Sequence, residues 1–444
     1  MKILLVQPLM NKRPMDTDLK VRMAPSLALL TIANLIPDAH ETIIVNENIE
    51  KLDLDYDADL VGVTITLDAL PRAIEIAEAF QERGIPVVAG GIHVTCSPEE
   101  CRPYFDALSI GPAERVWGKI VEDAESGRLQ KEYCDMVGFR GDEIVSPKYD
   151  YIKNRKYLYT NVISTSRGCP NRCSFCYNSC RNRTYVLRPI PDVIRDIRSL
   201  NTRHIYFVDD NFIGDPKYTR ELLGELAGMN LIWNAAVTTK ILDHLELLDL
   251  MAQTGCRSLF IGFESVNEAS LKGANKDNNV HQYEALADAI HRRGIMINAS
   301  MVFGLDGDGS DTFDRTLEWL VKMKIETLTS HILTPYPGTE LHRSMDAAGR
   351  ITDRNLANYN TAHVVFKPMG MTQEELYRGY RRMYKRFYSF RNIIRRFPES
   401  KIQHMPYFLF NLFYRKFGRV TSAVARFVPM GLLGRLAEKL SYKV

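Results

Sequence analysis

Short continuous apolar runs, each followed by a stretch of helical period, dominate the first 125 residues. Lys2–Gln7 (KILLVQ), Glu41–Val45, Asp59–Thr66 (DLVGVTIT) and Pro86–Gly90 (PVVAG) predict strands, while Pro25–Leu35 and Leu70–Arg83 predict helices, the second stopped by Gly84. The strands are apolar throughout rather than alternating, which argues for a parallel sheet covered on both faces. Ligands of such sheets bind beyond the carboxyl ends of the strands, which here are Thr64, Thr66, Gly90, Gly91 and His93.

From about 126 to 160 the periodicity weakens, and the segment reads as a connector. A second series follows over 161–340, with strands expected at Asn161–Ser166, His204–Val208, Leu231–Thr238, Ser258–Glu264, Met296–Phe303 and Thr327–Leu333. Helical patterns such as Pro191–Leu200 and Lys217–Ala227 lie between them. Six parallel strands with helical crossovers fit a partial (β/α)6 barrel, whose active site belongs at the strands' C-terminal ends. The cysteine-rich SRGCPNRCSFCYNSCRNR and the segments FVDDN, GFES and FGLDGD all fall at such ends. After Gly338 the rhythm stops, and 341–444 reads as mainly helical. The fold class is therefore α/β: a Rossmann-like domain, a partial barrel and a helical C-terminal region.

Composition changes this picture only at the end of the chain. Charged residues make up 25% and hydrophobic residues 45% of 444 positions, ordinary for a globular enzyme. The apolar start is too short for a secretory h-region, and no run approaches the length of a membrane-spanning helix. Net charge is +3, yet Met371–Val444 carries 16 Lys/Arg against 4 Asp/Glu. Its last part, from Met405, mixes aromatic, leucine and basic residues in a way that suits a membrane interface or packing on the enzyme itself. No RNA-binding motif accompanies it, so nucleic acid is not expected. Expected localisation is cytoplasmic, with peripheral membrane contact through the tail.

Four of the eight cysteines, Cys169, Cys173, Cys176 and Cys180, fall within twelve positions. The other four are scattered, which disfavours a disulfide framework and favours a reducing compartment. Zinc usually takes two separated Cys pairs. Three thiolates in C-x3-C-x2-C suit an iron–sulfur cluster instead, leaving one iron open. On the residues alone, zinc and an ordinary ferredoxin-type cluster stay open.

Cys169-Pro-Asn-Arg-Cys173-Ser-Phe-Cys176, on the loop after the first strand of a six-unit barrel, resembles the radical S-adenosylmethionine superfamily. The N-terminal segments MKILLVQP, MAPSLALLTIANL, DLVGVTITLDALPRAIEIAEAF, VVAGGIHVTCSPEE and IGPAERV resemble the cobalamin-binding domain fused to one large class of that family. The resemblance implies a 4Fe-4S cluster on Cys169, Cys173 and Cys176, with S-adenosylmethionine on the open iron as source of a 5′-deoxyadenosyl radical. It implies Phe175 beside the adenine, and Asp209, Asp210, Glu264 and Ser265 as polar contacts of S-adenosylmethionine. Cobalamin would meet Thr64, Thr66, Gly90, Gly91 and His93. The Asp-x-His-x-x-Gly signature is missing after the first strand, so no lower-face histidine is expected from that loop. Cys180 lies outside the pattern and reads as a bystander.

DGDGSD at Asp306–Asp311 lacks the glycine and glutamate of a calcium loop and reads as a turn with a helix cap. The activity the resemblance implies is methyl transfer to an unactivated carbon of a small molecule, such as a lipid- or isoprenoid-like one. A flavodoxin or ferredoxin would donate electrons. A cyclase or rearrangement enzyme without net methyl transfer is the second expectation, and a non-catalytic iron–sulfur or zinc redox sensor the third.

Overall fold

The computed structural model describes residues 1–13, 22–153, 156–180, 185–414 and 429–441. The part of the tail at 415–428, with four of its basic residues, lies outside them. Two six-stranded parallel sheets form the frame.

The first sheet comprises β1 (Lys2–Gln7), β2 (Glu41–Asn46), β3 (Leu60–Thr64), β4 (Val87–Gly90), β5 (Ala107–Ile110) and β6 (Glu132–Cys134), in the order β2-β1-β3-β4-β5-β6. Alternate side chains feed two cores. Leu4, Val6, Val61 and Val63 meet the helix Leu70–Gln81, and Ile3, Leu5 and Leu60 pack with Leu29, Ala33 and Trp117 on the other face. This double burial is why the strands read as unbroken apolar runs. The helix turns Ala73, Ile76, Ala77 and Phe80 inward, the spacing of one helical face. The sixth strand lies beyond residue 125, inside the segment that reads as a connector; at three residues with one buried side chain, it leaves almost no periodic signal.

The second sheet comprises β7 (Val162–Ile163), then β10 (His204–Phe207), β11 (Ile232–Val237), β12 (Cys256–Glu264), β13 (Met296–Phe303) and β14 (Thr327–Ile332), arranged β14-β13-β12-β11-β10-β7. Between β7 and β10 lies a small antiparallel hairpin of β8 (Ser166–Arg167) and β9 (Val186–Leu187). The expected strand Asn161–Ser166 is thus cut short. Thr165 and Ser166 turn their backbone N–H groups onto the Asp209 carboxylate at 2.8 and 2.6 Å instead of continuing the ladder.

An open half-barrel leaves a sheet edge at β14, and the C-terminal helix Gln373–Phe387 covers it. Tyr384 Oη accepts from Ser330 N–H at 3.2 Å, and Tyr388 Oη accepts from Leu328 N–H at 3.0 Å. Tyr380 donates to Ser330 O at 3.3 Å and Tyr388 to Leu328 O at 2.9 Å. Phenol groups therefore stand where the next strand would pair. The helix begins with a capping box of Thr372 and Glu375, as its charged, periodic sequence predicts. Further on, Arg396 is fully buried and donates to the carbonyls of Ile325, Glu326 and Phe387.

Candidate active site

The carboxyl ends of the two sheets face each other across a cleft of about 530 Å³. One wall comes from the ends of β3, β4 and β5 and is built of Gly62, Thr64, Gly90, Gly91, Ser109 and Gly111. Gly91 has φ +100, and a Cβ there would sit 2.9 Å from Ile65 N and Thr64 Oγ1, so only glycine lets this turn form. The opposite wall comes from the ends of β7 and β10, with Arg167, Gly168, Tyr177, Asn178, Asp209 and Asp210. Arg167 grips Glu114 of the first unit through two bonds of 2.8 and 2.5 Å, closing the seam.

Among the described residues, three that line the cleft carry buried polar atoms without a hydrogen-bond partner: Trp117 Nε1, Arg188 Nε and Asp209 Oδ2. Buried polar atoms are normally paired. The two donors in a glycine-walled cleft match a ligand rimmed with amide oxygens, which is the character of a corrin's side chains. The residues present therefore fit cobalamin.

The cysteine loop sits beside this cleft on the barrel side. It is held by Ser174 N–H to Ala274 O at 3.1 Å, Leu341 N–H to Ser174 O at 3.1 Å and Asn275 Nδ2 to Arg172 O at 2.7 Å. Cys173 is buried; Cys169 and Cys176 are partly so. Burial pushes the Cys176 thiol up to about 12 and raises Cys169, each with a smaller contribution from the other cysteines and Asp210. Both thiols thus sense Cys173. Among the described residues no three Cys, His, Asp or Glu side chains converge as a single-ion site requires. Three cysteines on one short loop are thiolate ligands of the kind an iron–sulfur cluster takes.

Glu264, the last residue of β12, is held at φ +64 where the pairing with β13 slips. Its carboxylate folds back onto Lys276 Nζ at 3.1 Å and accepts from Ser300 Oγ at 3.3 Å. A Cβ on Gly262 would lie 2.5 Å from Glu264 Oε1, so the glycine makes room for this return. Burial opposes the charge on Lys276, but Glu264 with Cys173 and Cys169 outweighs it and holds the ammonium above its ordinary range. A glutamate at positive φ is thus paired with a buried lysine beside Cys173 and Cys169.

Asp209 is buried, and its Oδ1 accepts from the backbone and hydroxyl of both Thr165 and Ser166. Burial raises its pKa against those four bonds. Asp210 faces the open cleft, where the surrounding protein raises its carboxyl and Asn178 pulls it back.

The sequence-predicted residues separate accordingly. Thr64, Gly90, Gly91, Asp209 and Asp210 line the cleft. Cys169, Cys173, Cys176, Phe175, Glu264 and Ser265 stand outside its lining, on the barrel side; Phe175 packs against the barrel core. Ser265 spends its hydroxyl on Asn267 N–H at 3.0 Å. Thr66 is exposed and donates to Asp68. His93 lies outside the lining and is fully buried, with Nδ1 3.3 Å from Tyr177 Oη and Nε2 3.3 Å from Glu100. The short helix Ile92–Cys96, which the Gly-Gly turn starts, swings it away from the opening. Sequence reasoning missed Gly62, Ser109, Gly111, Arg167, Lys276 and Tyr177. Of these, Gly62, Gly111, Arg167 and Tyr177 lie inside stretches that the sequence singles out, whereas Ser109 and Lys276 carry no local signal.

Two parallel sheets meet end to end, one offering a backbone cradle and the other a cysteine loop beside the shared cleft. Residues 163–320 match the family model of the radical SAM superfamily, and residues 23–120 match that of the B12 binding domain. A domain of unknown function, DUF4070, matches residues 339–408. The chain is 28% identical over 431 residues to bacteriochlorophyllide d C-12(1)-methyltransferase of Chlorobaculum tepidum, covering 94% of each chain. It is 28% identical over 362 residues to hopanoid C-2 methylase of Rhodopseudomonas palustris, covering 76% of this chain and 67% of the relative. In fold it is similar to the radical S-adenosylmethionine methyltransferase TsrM from Kitasatospora setae, solved with cobalamin and a [4Fe-4S] cluster. The TM-score is 0.64 at 20% identity, with 85% of each chain covered.

Proposed function

We propose that this chain is a cobalamin-dependent radical S-adenosylmethionine methyltransferase acting at an unactivated carbon of an apolar, lipid- or isoprenoid-like molecule. The observation that carries the reading is the shared cleft, with a glycine cradle on one side and the cysteine loop beside the other. When bound, the cluster with S-adenosylmethionine supplies a hydrogen-abstracting radical, and cobalamin supplies the methyl group. In this reading Cys169, Cys173 and Cys176 hold the cluster, and Phe175 flanks the adenine. Glu264, Ser265, Asp209 and Asp210 meet the polar parts of S-adenosylmethionine. Thr64, Gly90 and Gly91 cradle cobalamin; His93 braces the turn through its backbone N–H on Ile65 O, and Thr66 stays at the rim, outside the lining.

The chain's own contribution is placement. The Lys276–Glu264 pair sets a fixed charge beside the cluster loop, the Arg167–Glu114 clamp keeps the two walls in register, and Leu29, Ile32 and Trp117 of the lining keep that side dry. A flavodoxin- or ferredoxin-type donor reduces the cluster. Product analysis tests the proposal: methyl transfer requires S-adenosylhomocysteine alongside 5′-deoxyadenosine for each product. Deoxyadenosine without homocysteine identifies a cyclase or rearrangement enzyme instead.

No helix among the described residues is long and apolar enough to cross a membrane. Peripheral contact is part of the proposal, because the C-terminal helices expose Phe390, Ile394, Met405, Phe408, Leu432 and Leu436 beside Arg391, Arg395, Lys401, Arg435 and Lys439. Such a surface suits anionic headgroups. Co-sedimentation with phosphatidylglycerol vesicles should fall about tenfold for the double substitution Phe390→Ser, Ile394→Ser, by the area rule for exposed apolar groups. Equal binding of the two proteins ends the membrane reading.

A further inference from the structure

Cys180, which has no part in the cluster motif, meets a partner from the other unit. Cys96 ends the short helix after the Gly-Gly turn, and its Sγ–H donates to Tyr177 O at 3.8 Å. The same carbonyl accepts from Cys180 N–H at 2.8 Å, so one atom anchors both residues. The two thiols hydrogen-bond to each other, and this bond first, burial second, pushes the Cys96 thiol far above its usual range. Both side chains are buried, at 5% and 6% exposure, and both line the cleft. On the side away from the cleft the pair is closed by Gly338, whose missing Cβ would approach Cys96 O to 2.7 Å.

We propose that Cys96 and Cys180 are a redox-active dithiol that forms a reversible disulfide across the seam between the two units. Low-molecular-weight disulfides of the glutathione class are the oxidant. Cys96 Sγ–H is held on Tyr177 O, so Cys180, on losing its proton, is the attacking sulfur. Its sulfur bonds to one sulfur of the oxidant and expels one glutathione thiolate. The Cys96 sulfur, losing its proton, then attacks Cys180 and expels the second. Two electrons and two protons pass to the small disulfide, which ends as two thiols. In a reducing compartment disulfides are transient and redox-sensing, which suits a pair placed beside an oxidation-sensitive centre. The bond ties the cluster-bearing loop to the first sheet. The inference is independent of the reaction performed in the cleft.

The test uses the full chain with its cluster loaded, treated anaerobically with oxidised glutathione, then alkylated, digested with trypsin and sequenced by mass spectrometry. Two alkylatable thiols per chain should be lost and recovered with dithiothreitol. Peptide 84–115 should appear linked to peptide 173–181, with fragmentation placing the bond at Cys96 and Cys180. Cys180→Ser and Cys96→Ser should each abolish the linked species while iron content stays at the wild-type level. Separate glutathione adducts at the two positions overturn the proposal, as does a bond from Cys101, or modification confined to the exposed Cys134.

Discussion

The two walls of the cleft come from sheets of the same size and the same strand direction, yet they end differently. The first sheet ends in glycines and small hydroxyl residues, so its strands offer open space and backbone dipoles. The second ends in thiols, carboxylates and a buried ammonium, so its strands offer ligands and charge. The contrast separates two tasks. A large ligand is accepted by leaving side chains out, whereas a reactive centre is assembled by crowding them in, at the cost of strain such as the positive φ of Glu264.

Substitutions that reverse these roles give the sharpest tests. The largest effect is expected on the ligand-bearing side: replacing Cys169, Cys173 or Cys176 by Ala should abolish cluster content, read as iron and as the brown absorbance after anaerobic reconstitution. Cys180→Ala should leave both unchanged. Next, Glu264→Ala strands Lys276 as an unpaired buried charge and should cost about 3 kcal/mol of stability in denaturant unfolding. The double substitution Glu264→Ala, Lys276→Met should recover part of that loss; no recovery would mean that Glu264 acts by some other route.

On the room-giving side, Gly91→Ala forces a side chain into a left-handed turn against Ile65 and Thr64. Cobalamin affinity, read by absorbance titration, should fall about tenfold or more, by the ~1–3 kcal/mol that strained backbone costs. Cluster content should not change; a loss of both would show that the two walls are one unit. Tyr177→Phe removes one contact across the seam and should cost about 1 kcal/mol.

The smallest effect is a pH dependence. Burial raises Asp308 to about 6, although Ser270 and the backbone of Gly304 and Leu305 donate to it. A folded carboxyl with a pKa above its unfolded value favours the folded state at low pH, and that contribution fades as pH rises from about 4 to about 6. Asp308→Asn should flatten the unfolding free energy across that window.

How much of this was legible in the sequence follows from distance along the chain. The cluster motif is local, three ligands in eight positions, and needs no fold to be read. The parallel sheets are nearly as plain, because double burial writes continuous apolar runs such as KILLVQ and DLVGVTIT. The cradle was half visible: Gly90-Gly91 stands out as a pair, but Gly62, Ser109 and Gly111 become neighbours only once β3, β4 and β5 pair. His93 shows the opposite failure, since a single turn of helix after Gly91 decides which way an imidazole points. Lys276 returns to Glu264 from twelve residues away, and Cys96 meets Cys180 across 84 positions. No periodicity records either. The shortened β7 was hidden for the same reason, because Asp209 competes for the Thr165 and Ser166 amides from another strand.

The tyrosines along β14 have a consequence for how the chain behaves among other chains. A half-barrel that never closes keeps an adhesive border, and here three phenols on one helix answer its hydrogen bonds. A protein cut before Gln373 would retain both cofactor walls yet expose that border to the next molecule. Its failure would then be one of solubility rather than of chemistry.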